Sequence, residues 1–197
     1  MFIAFAVTLS LFLTAFVVFL VVIRRMDSKT FAKYCEGRIR RFAKHNKLLA
    51  IDKLNILNYS REKLEADHVI FGKKYIYLIT DLMVKGFVKG DVNDNSWVYF
   101  NKNTKKTHYL SNLSKVSDKN IQEFAGILGI NPDPIVAICL VPNECDFSIK
   151  QLGSDHKMVV HYSSFARKIK ELEKRPIGSL NEEQIYEQYK AIKERNR

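Results

Sequence analysis

The stretch DHVIFGKKYIYLITDLMVKG, residues 67–86, decides the fold. Residues 67–71 and 75–82 are rich in aromatic and β-branched side chains, which strands prefer, and the GKK between them has the composition of a turn. We therefore predict a β-hairpin from these two segments. Asp67 opens the hairpin, and its second strand ends in Thr80, Asp81 and Leu82. The chemistry of the protein depends on which faces of the strands these side chains occupy.

The segments around the hairpin predict an α/β domain over residues 31–174. A helix is expected at 29–49, where an apolar stripe recurs at helical spacing through Phe31, Cys35, Ile39, Phe42 and Leu49. We predict strands at 53–57, 97–100, 107–110, 135–141 and 158–162, a helix at 117–128, and a helix with a serine cap at 163–174. This order predicts one mixed sheet with helices on its faces.

Residues 175–197 have a different, more polar composition. Ser179 and Glu182 have the spacing of a capping box, which predicts the start of a helix. Its apolar residues are sparse: Ile185, Tyr189 and Ile192. We expect a surface helix that packs loosely or extends freely.

Residues 1–23 contain no charged side chain and are long enough, as a helix, to cross a hydrocarbon core of about 30 Å. A cleaved signal peptide is the alternative, but no basic residue precedes the apolar run and the run is too long. We expect a retained, single-pass anchor helix. Because Arg24 and Arg25 follow directly, the positive-inside rule places the N-terminus outside and the rest of the chain in the cytoplasm.

The chain of 197 residues has a net charge of +11, and residues 24–47 concentrate it, with nine Lys and Arg against Asp27 and Glu36. Basic residues near an anionic leaflet attract lipid headgroups, and a similar patch could bind nucleic acid. Charge alone does not separate these partners, and any anchor helix needs a positive flank. The candidate binding residues, in the basic linker 24–30 and the helix after it, are Arg24, Arg25, Lys29, Arg38, Arg40, Arg41 and Lys44.

The cysteines give no sign of a disulfide frame or a zinc site. Cys35, Cys139 and Cys145 are odd in number and form no C-x-x-C pair. The five histidines show no ligand spacing either. We expect no structural zinc and a reducing compartment.

Several motifs in register resemble the NERD (nuclease-related) domain. Glu36 follows Cys35, where the family has a Gly-Glu pair at the start of a helix. EADHVIF at 65–71 matches the acidic residue and Asp-His that open the family's hairpin, and KGFVKG at 85–90 and Trp97 fall at the family's distances. Over residues 31–174 the resemblance implies the PD-(D/E)XK restriction-endonuclease-like fold, and with it a Mg²⁺-dependent nuclease site.

The chain departs from this family at the two positions that carry the chemistry. Counted from Asp67, the family's glutamate falls on Thr80 and its lysine on Leu82. In such a site carboxylates hold Mg²⁺ and a lysine on the same strand face orients the attacking water. Threonine and leucine supply neither function. Strand alternation points Asp81 to the face opposite Thr80 and Leu82. A one-residue slip would bring Asp81 onto their face, but it would also expose Leu78 and Leu82, at a cost of about 1.5–3 kcal/mol for each side chain. We therefore do not expect Asp81 to replace the missing glutamate.

Glu36 and Asp67 remain as residual catalytic and metal-binding candidates, with Glu65 and His68 beside them in the sequence pattern. They form either a residual metal site or hydrogen bonds in an inherited polar cleft, and we favour the second interpretation. Trp97 is expected in the core rather than as a base-stacking platform.

Three hypotheses for function follow. The first is a membrane-anchored, cytoplasm-facing NERD-like domain, a pseudoenzyme that binds nucleic acid or a protein partner or serves in assembly. It needs no cofactor. The second is a nuclease with an atypical site, which would require Mg²⁺. The third is a purely structural membrane protein that uses the fold as a scaffold.

Overall fold

The computed structural model describes residues 9–18, 28–57, 63–111, 118–150, 156–176 and 180–196. The predicted anchor, 1–23, and linker, 24–30, therefore lie largely outside the described residues. Residues 9–18 of the predicted anchor form a helix, α1, whose side chains are exposed. Among the helices of the described part, none is both long enough and apolar enough to span a membrane.

The remaining elements follow in chain order. They are α2 (Ser28–His45), β1 (Leu49–Leu57), β2 (Lys63–Phe71), β3 (Ile76–Asp81), β4 (Gly86–Asp91), β5 (Ser96–Asn101), β6 (Lys106–Ser111), α3 (Asp118–Leu128), β7 (Ile135–Val141), β8 (Asp146–Lys150), β9 (Lys157–His161), a 3₁₀ turn (Tyr162–Ser164), α4 (Phe165–Leu172) and α5 (Glu182–Arg195).

The described strands form two sheets, so the α/β class is confirmed but the single sheet is wrong. The main sheet has five strands in the order β1-β2-β3-β7-β9, and the second sheet has four in the order β6-β5-β4-β8. The main sheet is mixed, because β1, β2 and β3 pair antiparallel whereas β7 and β9 run parallel to β3. With β2 and β7 on its two sides, β3 has no free edge for β4. The chain therefore leaves the main sheet and begins the second one.

The core has two parts, one on each face of the main sheet. On one face, α2 and α4 cover the sheet through residues such as Phe31, Ile39, Phe165 and Ile169. On the other face, α3, α5 and the inner face of the second sheet enclose the larger cluster, which includes Trp97 at its centre. Trp97 is fully buried and its indole donates a hydrogen bond to the Asp91 carbonyl at 2.8 Å, as expected for a core residue.

The first helix of the domain ends earlier than predicted. Lys47 has a left-handed backbone, with φ of 56°, and Leu48 N–H donates to the Ala43 carbonyl at 2.8 Å. The side chain of Asn46 donates to the Phe42 carbonyl at 2.8 Å. These bonds satisfy carbonyls of the last turn. Because they close the helix, Leu49 belongs to β1 and not to the helical stripe.

The helix starts near the C-terminus also differ from the predictions. Ser164 occupies the N-cap of α4 but makes no side-chain capping bond there, since the 3₁₀ turn precedes it. The capping box of α5 consists of Asn181 and Gln184, and Ser179 lies outside the described residues.

The helix α5 is docked on the domain, contrary to the expectation of a loose or free helix. Ile185 and Ile192 are buried in the larger core cluster, and the ring of Tyr189 packs edge-on against Phe71 with 5.5 Å between centroids. Three apolar residues on one stripe therefore suffice, because the sheet presents them with an apolar surface.

Candidate functional site

The hairpin exists as predicted, and Asp67 stands at the point where its ladder ends. The pairs of β2 with β3 run from Phe71↔Ile76 to His68↔Ile79. Beyond them the Asp67 carboxylate accepts a hydrogen bond from the Asp81 backbone N–H at 2.7 Å. At this position the side chain of Asp67 therefore replaces a backbone carbonyl of β2 as the hydrogen-bond acceptor.

The face of β3 that the sequence resemblance assigned to nuclease chemistry is apolar. Leu78 and Leu82 belong to the larger core cluster, and Thr80 between them is also buried. Tyr77 and Ile79 face α2 and α4. The strand therefore alternates without a slip, which places Asp81 on the α2 side.

Asp81 nevertheless reaches the cleft that holds Glu36 and Asp67, which the sequence reasoning did not anticipate. All three residues line a cleft of about 580 Å³ between α2 and the strands. No register slip is needed, because the helix that supplies Glu36 covers the same face of the sheet as Asp81. Thr80 instead lines a neighbouring cavity of about 300 Å³ together with Glu65, and Lys53 and Asp67 line both spaces.

The alternation of side chains between the two faces of β1 changes at Lys53, which also lines this cleft. Lys53 in β1 has φ of 57°, and both it and Asp67, the β2 residue that would face it, are missing from the register of β1 with β2. Ile51 and Leu54, three residues apart, both belong to the larger core cluster, which strict alternation would forbid. Asp52 directly precedes this position; it is paired opposite His68 and contacts it across the two strands.

His68 lies between two carboxylates. Its Nδ1 is 2.8 Å from an Asp52 oxygen, and its Nε2 is 3.2 Å from an Asp81 oxygen. The side chains of all three residues are largely buried, with exposures of 4% for His68, 14% for Asp52 and 6% for Asp81. We call these three residues the His68 cluster.

The His68 cluster carries its own counter-charge. Burial alone lowers the pKa of His68, but the hydrogen bonds and charges of Asp52 and Asp81 outweigh it and raise that pKa to about 9. Burial likewise raises the pKa of Asp52, yet the hydrogen bonds and charges of His68 and Arg40 bring it below its usual value. At neutral pH the cluster therefore holds an imidazolium between carboxylates.

Arg40 of α2 extends this network to the surface. Its guanidinium donates from Nε to Asp52 and forms an ion pair with Glu36 at 2.8 Å. Glu36, predicted as a residual metal ligand, is thus paired with a cation of its own helix. Across the described ranges, no group of three or more His, Cys, Asp or Glu side chains is arranged to hold a metal ion.

Among the predicted basic residues that the structure describes, Arg40 lies on a different side of α2 from Arg38 and Arg41. Arg24, Arg25 and the side chain of Lys29 lie outside the described part. Arg40 belongs to the cleft. On another flank of α2, Arg38 lies 4.8 Å from the centre of the Tyr162 ring, and Arg41 donates to the Gly37 carbonyl of its own helix. Lys44 is exposed.

Asp52 is the site residue that the sequence reasoning missed. The signal available was an aspartate within LAIDKLNIL, an otherwise largely apolar strand. A charged residue at such a position needs a partner. Nothing in the linear pattern names His68, sixteen residues away, as that partner.

No family model, curated protein or solved structure matches this chain.

Proposed function

We propose that the chain is a membrane-anchored, cytoplasm-facing domain with a NERD-like, restriction-endonuclease-like fold that acts without catalysis, as a binding or assembly module. The observation that carries this proposal is that the acids in and beside the cleft are already engaged by other groups of the protein. His68 lies between Asp52 and Asp81, Arg40 pairs with Glu36 and contacts Asp52, and Asp67 accepts a backbone hydrogen bond.

Metal-dependent phosphodiester cleavage needs a different arrangement of charge. Mg²⁺ is a hard cation that sheds its water reluctantly, so its site must offer carboxylates whose negative charge is not already balanced. Here a metal would compete with an imidazolium whose pKa is about 9. The second requirement, an ammonium beside the attacking water, falls on Leu82, which is buried in the core.

The architecture supports the fold assignment in this proposal. The helix α2 supplies Glu36, the hairpin of β2 and β3 supplies Asp67, and parallel strands continue the sheet beyond β3. The uncharged run at 1–23, followed by Arg24 and Arg25, supports the membrane anchor and its orientation.

A cleavage assay tests the proposal. The full chain in detergent micelles is incubated with single- and double-stranded DNA and RNA, in the presence of Mg²⁺ or Mn²⁺. We expect no cleavage above that of the Asp67→Ala variant. Cleavage by the unmodified chain that is lost in Asp67→Ala would refute the non-catalytic role.

The topology has its own test. A reporter enzyme that is active only outside the cell is fused to the C-terminus of the full chain, and we expect no activity. A matched fusion to a protein with a known outside C-terminus provides the positive control. An active reporter on this chain would reverse the proposed orientation.

One observation favours a second candidate, a Mg²⁺-dependent nuclease with an atypical site. Glu36, Asp67 and Asp81 line a single cleft. In this alternative Asp81 would take the place of the carboxylate that Thr80 lacks. The cleavage assay distinguishes the two candidates when Asp81→Asn is included, because only the nuclease would lose a metal-dependent activity.

A further inference from the structure

The outward face of the second sheet carries exposed apolar side chains. Phe87 on β4, Val98 and Phe100 on β5, and Tyr109 on β6 lie on this face, and we call them the aromatic patch. Val98 is 40% exposed, Phe100 39% and Tyr109 79%, while Phe87 is partly exposed. No element of the described ranges covers it.

The strand register makes the aromatic patch contiguous. Phe87 pairs with Phe100 across β4 and β5, and Val98 pairs with Tyr109 across β5 and β6. Phe100 and Tyr109 are therefore diagonal neighbours, at a separation of about 7–8 Å that aromatic side chains can share. The alternate residues Trp97 and Tyr99 point inward to the core. Solvated faces of such sheets are normally polar, so this composition indicates a binding surface.

Lysines surround the aromatic patch. Lys89 pairs with Val98 within it, and the turn between β5 and β6 carries the exposed Lys102 and Lys105. Of the acids in β4 and β8, Asp146 forms an ion pair with Lys102 at 2.7 Å. Asp91, at the far end of β4, accepts a hydrogen bond from the backbone N–H of Asn93. The surface beside the aromatic rings is therefore positive.

We propose that the aromatic patch binds single-stranded nucleic acid, with bases stacked on Phe100 and Tyr109 and phosphates contacted by Lys89 and Lys105. Aromatic rings on an open sheet beside lysines are the combination that single strands use, since unpaired bases expose their faces for stacking. A duplex keeps those faces hidden. This inference rests on the proposed non-catalytic binding role and identifies the class of partner.

Two other occupants fit the surface less well. The core of a protein–protein interface is depleted of lysine, whereas Lys89 lies within the aromatic patch. Insertion into a membrane interface requires apolar side chains that protrude, and on this flat sheet only Tyr109 is more than half exposed.

Fluorescence anisotropy tests the proposal. The full chain in detergent micelles is titrated, in EDTA, into labelled twelve-nucleotide strands of dT and of U, and into a duplex of the same length. We expect single strands to bind more tightly than the duplex, with affinity falling as salt rises. Phe100→Ala and Tyr109→Ala should each weaken binding about tenfold, the order of one lost base stack.

The chain offers a matched control. Tyr186 on α5 is 49% exposed and carries Lys190 at 4.5 Å from its ring centre, outside the aromatic patch. Tyr186→Ala should bind as the unmodified chain does. Lys89→Ala with Lys105→Ala should reduce the slope of log affinity against log salt by about 0.7 for each lysine. Circular dichroism verifies that each variant is folded.

Four results would overturn the proposal. They are no binding of single strands, equal binding of the duplex, an equal loss of affinity in Tyr186→Ala, and binding of anionic phospholipid vesicles that depends on Tyr109 while oligonucleotides are not bound. None of these results would be evidence that the chain cleaves nucleic acid. Because binding is measured in EDTA and cleavage with metal, failure of this proposal and failure of the non-catalytic role are distinguishable.

Discussion

Raising the pH should destabilise the fold through His68. The pKa of His68 is raised from 6.5 to about 9 by its two carboxylate partners, against the opposing effect of burial. A group whose pKa is higher in the folded than in the unfolded state stabilises the fold fully below its unfolded pKa. That contribution is lost as the pH rises from 6.5 through 9.

The size of the effect follows from the same shift. Each pH unit over which the folded state binds one more proton than the unfolded state changes the free energy of unfolding by about 1.4 kcal/mol. Between pH 6.5 and 9 we therefore expect a loss of about 3 kcal/mol from His68. With 4% of the side chain exposed, solvent screening reduces this figure little.

Urea unfolding at a series of pH values, followed by the fluorescence of the buried Trp97, measures this loss. The buried thiols also contribute at high pH, because burial raises the pKa of Cys35 and raises that of Cys145 to about 11. A His68→Gln variant keeps both thiols but has a neutral amide that cannot titrate. The difference between the two chains therefore isolates the contribution of His68. His108→Gln, at an exposed histidine of β6, is the matched control and should retain the pH dependence.

NMR titration of the His68 imidazole in the folded chain reads the pKa directly. Asp52→Asn removes one of the two anions, so the midpoint should move to lower pH. Parallel unfolding curves for the unmodified chain and His68→Gln between pH 6.5 and 9, or an imidazole pKa near 6.5, would refute the proposed charge state of the His68 cluster.

Three further changes test the site and the packing by urea unfolding. Asp67→Ala leaves the backbone N–H of Asp81 without its acceptor and should lower the free energy of unfolding by about 1–3 kcal/mol. Asp67→Asn keeps an acceptor oxygen and should lower it less. Equal losses in the two variants would refute the role of Asp67 as the acceptor. Thr80→Glu with Leu82→Lys introduces the pattern of the family that the sequence resembles. This variant should be destabilised by several kcal/mol, because both positions are buried, and should yield no nuclease; metal-dependent cleavage by it would contradict the burial of these two side chains. Ile192→Ala should cost about 2–5 kcal/mol if α5 is docked, and an unchanged unfolding free energy would show that it is not.

Local pattern predicted the main elements well. The hairpin, the apolar strand β7 and the helix α3 each carry a strong hydrophobic period, which constrains burial over several consecutive residues. The end of α2 was less predictable. A left-handed lysine at position 47 closes it, where a sequence pattern would favour glycine. The partition into two sheets depended on which strands occupy the edges of β3, and that is a matter of long-range pairing.

For the candidate site, the sequence predicted only which charged groups the core-facing side of β3 does not supply. That Thr80 and Leu82 cannot supply a carboxylate and an ammonium follows from their identity, and their orientation follows from strand alternation. The expectation that Asp81 needs a slip to join Glu36 and Asp67 was wrong, because α2 packs on the face that Asp81 occupies. The face of a sheet on which a helix packs cannot be predicted from the sequence of the helix or of the strand alone.

The sequence by itself determined an α/β domain, the hairpin within 67–82 and the uncharged side chains at positions 80 and 82, since residue identity and period decide these locally. Only the tertiary structure decided that Asp52 and His68, paired across β1 and β2, meet Asp81 at the end of β3. The hydrogen bonds and charges of Asp52 and Asp81 then outweigh the effect of burial and make the imidazole a cation. The physical reason is that pairing register, the change of phase at Lys53 and a shared low-dielectric environment arise only when distant segments pack together.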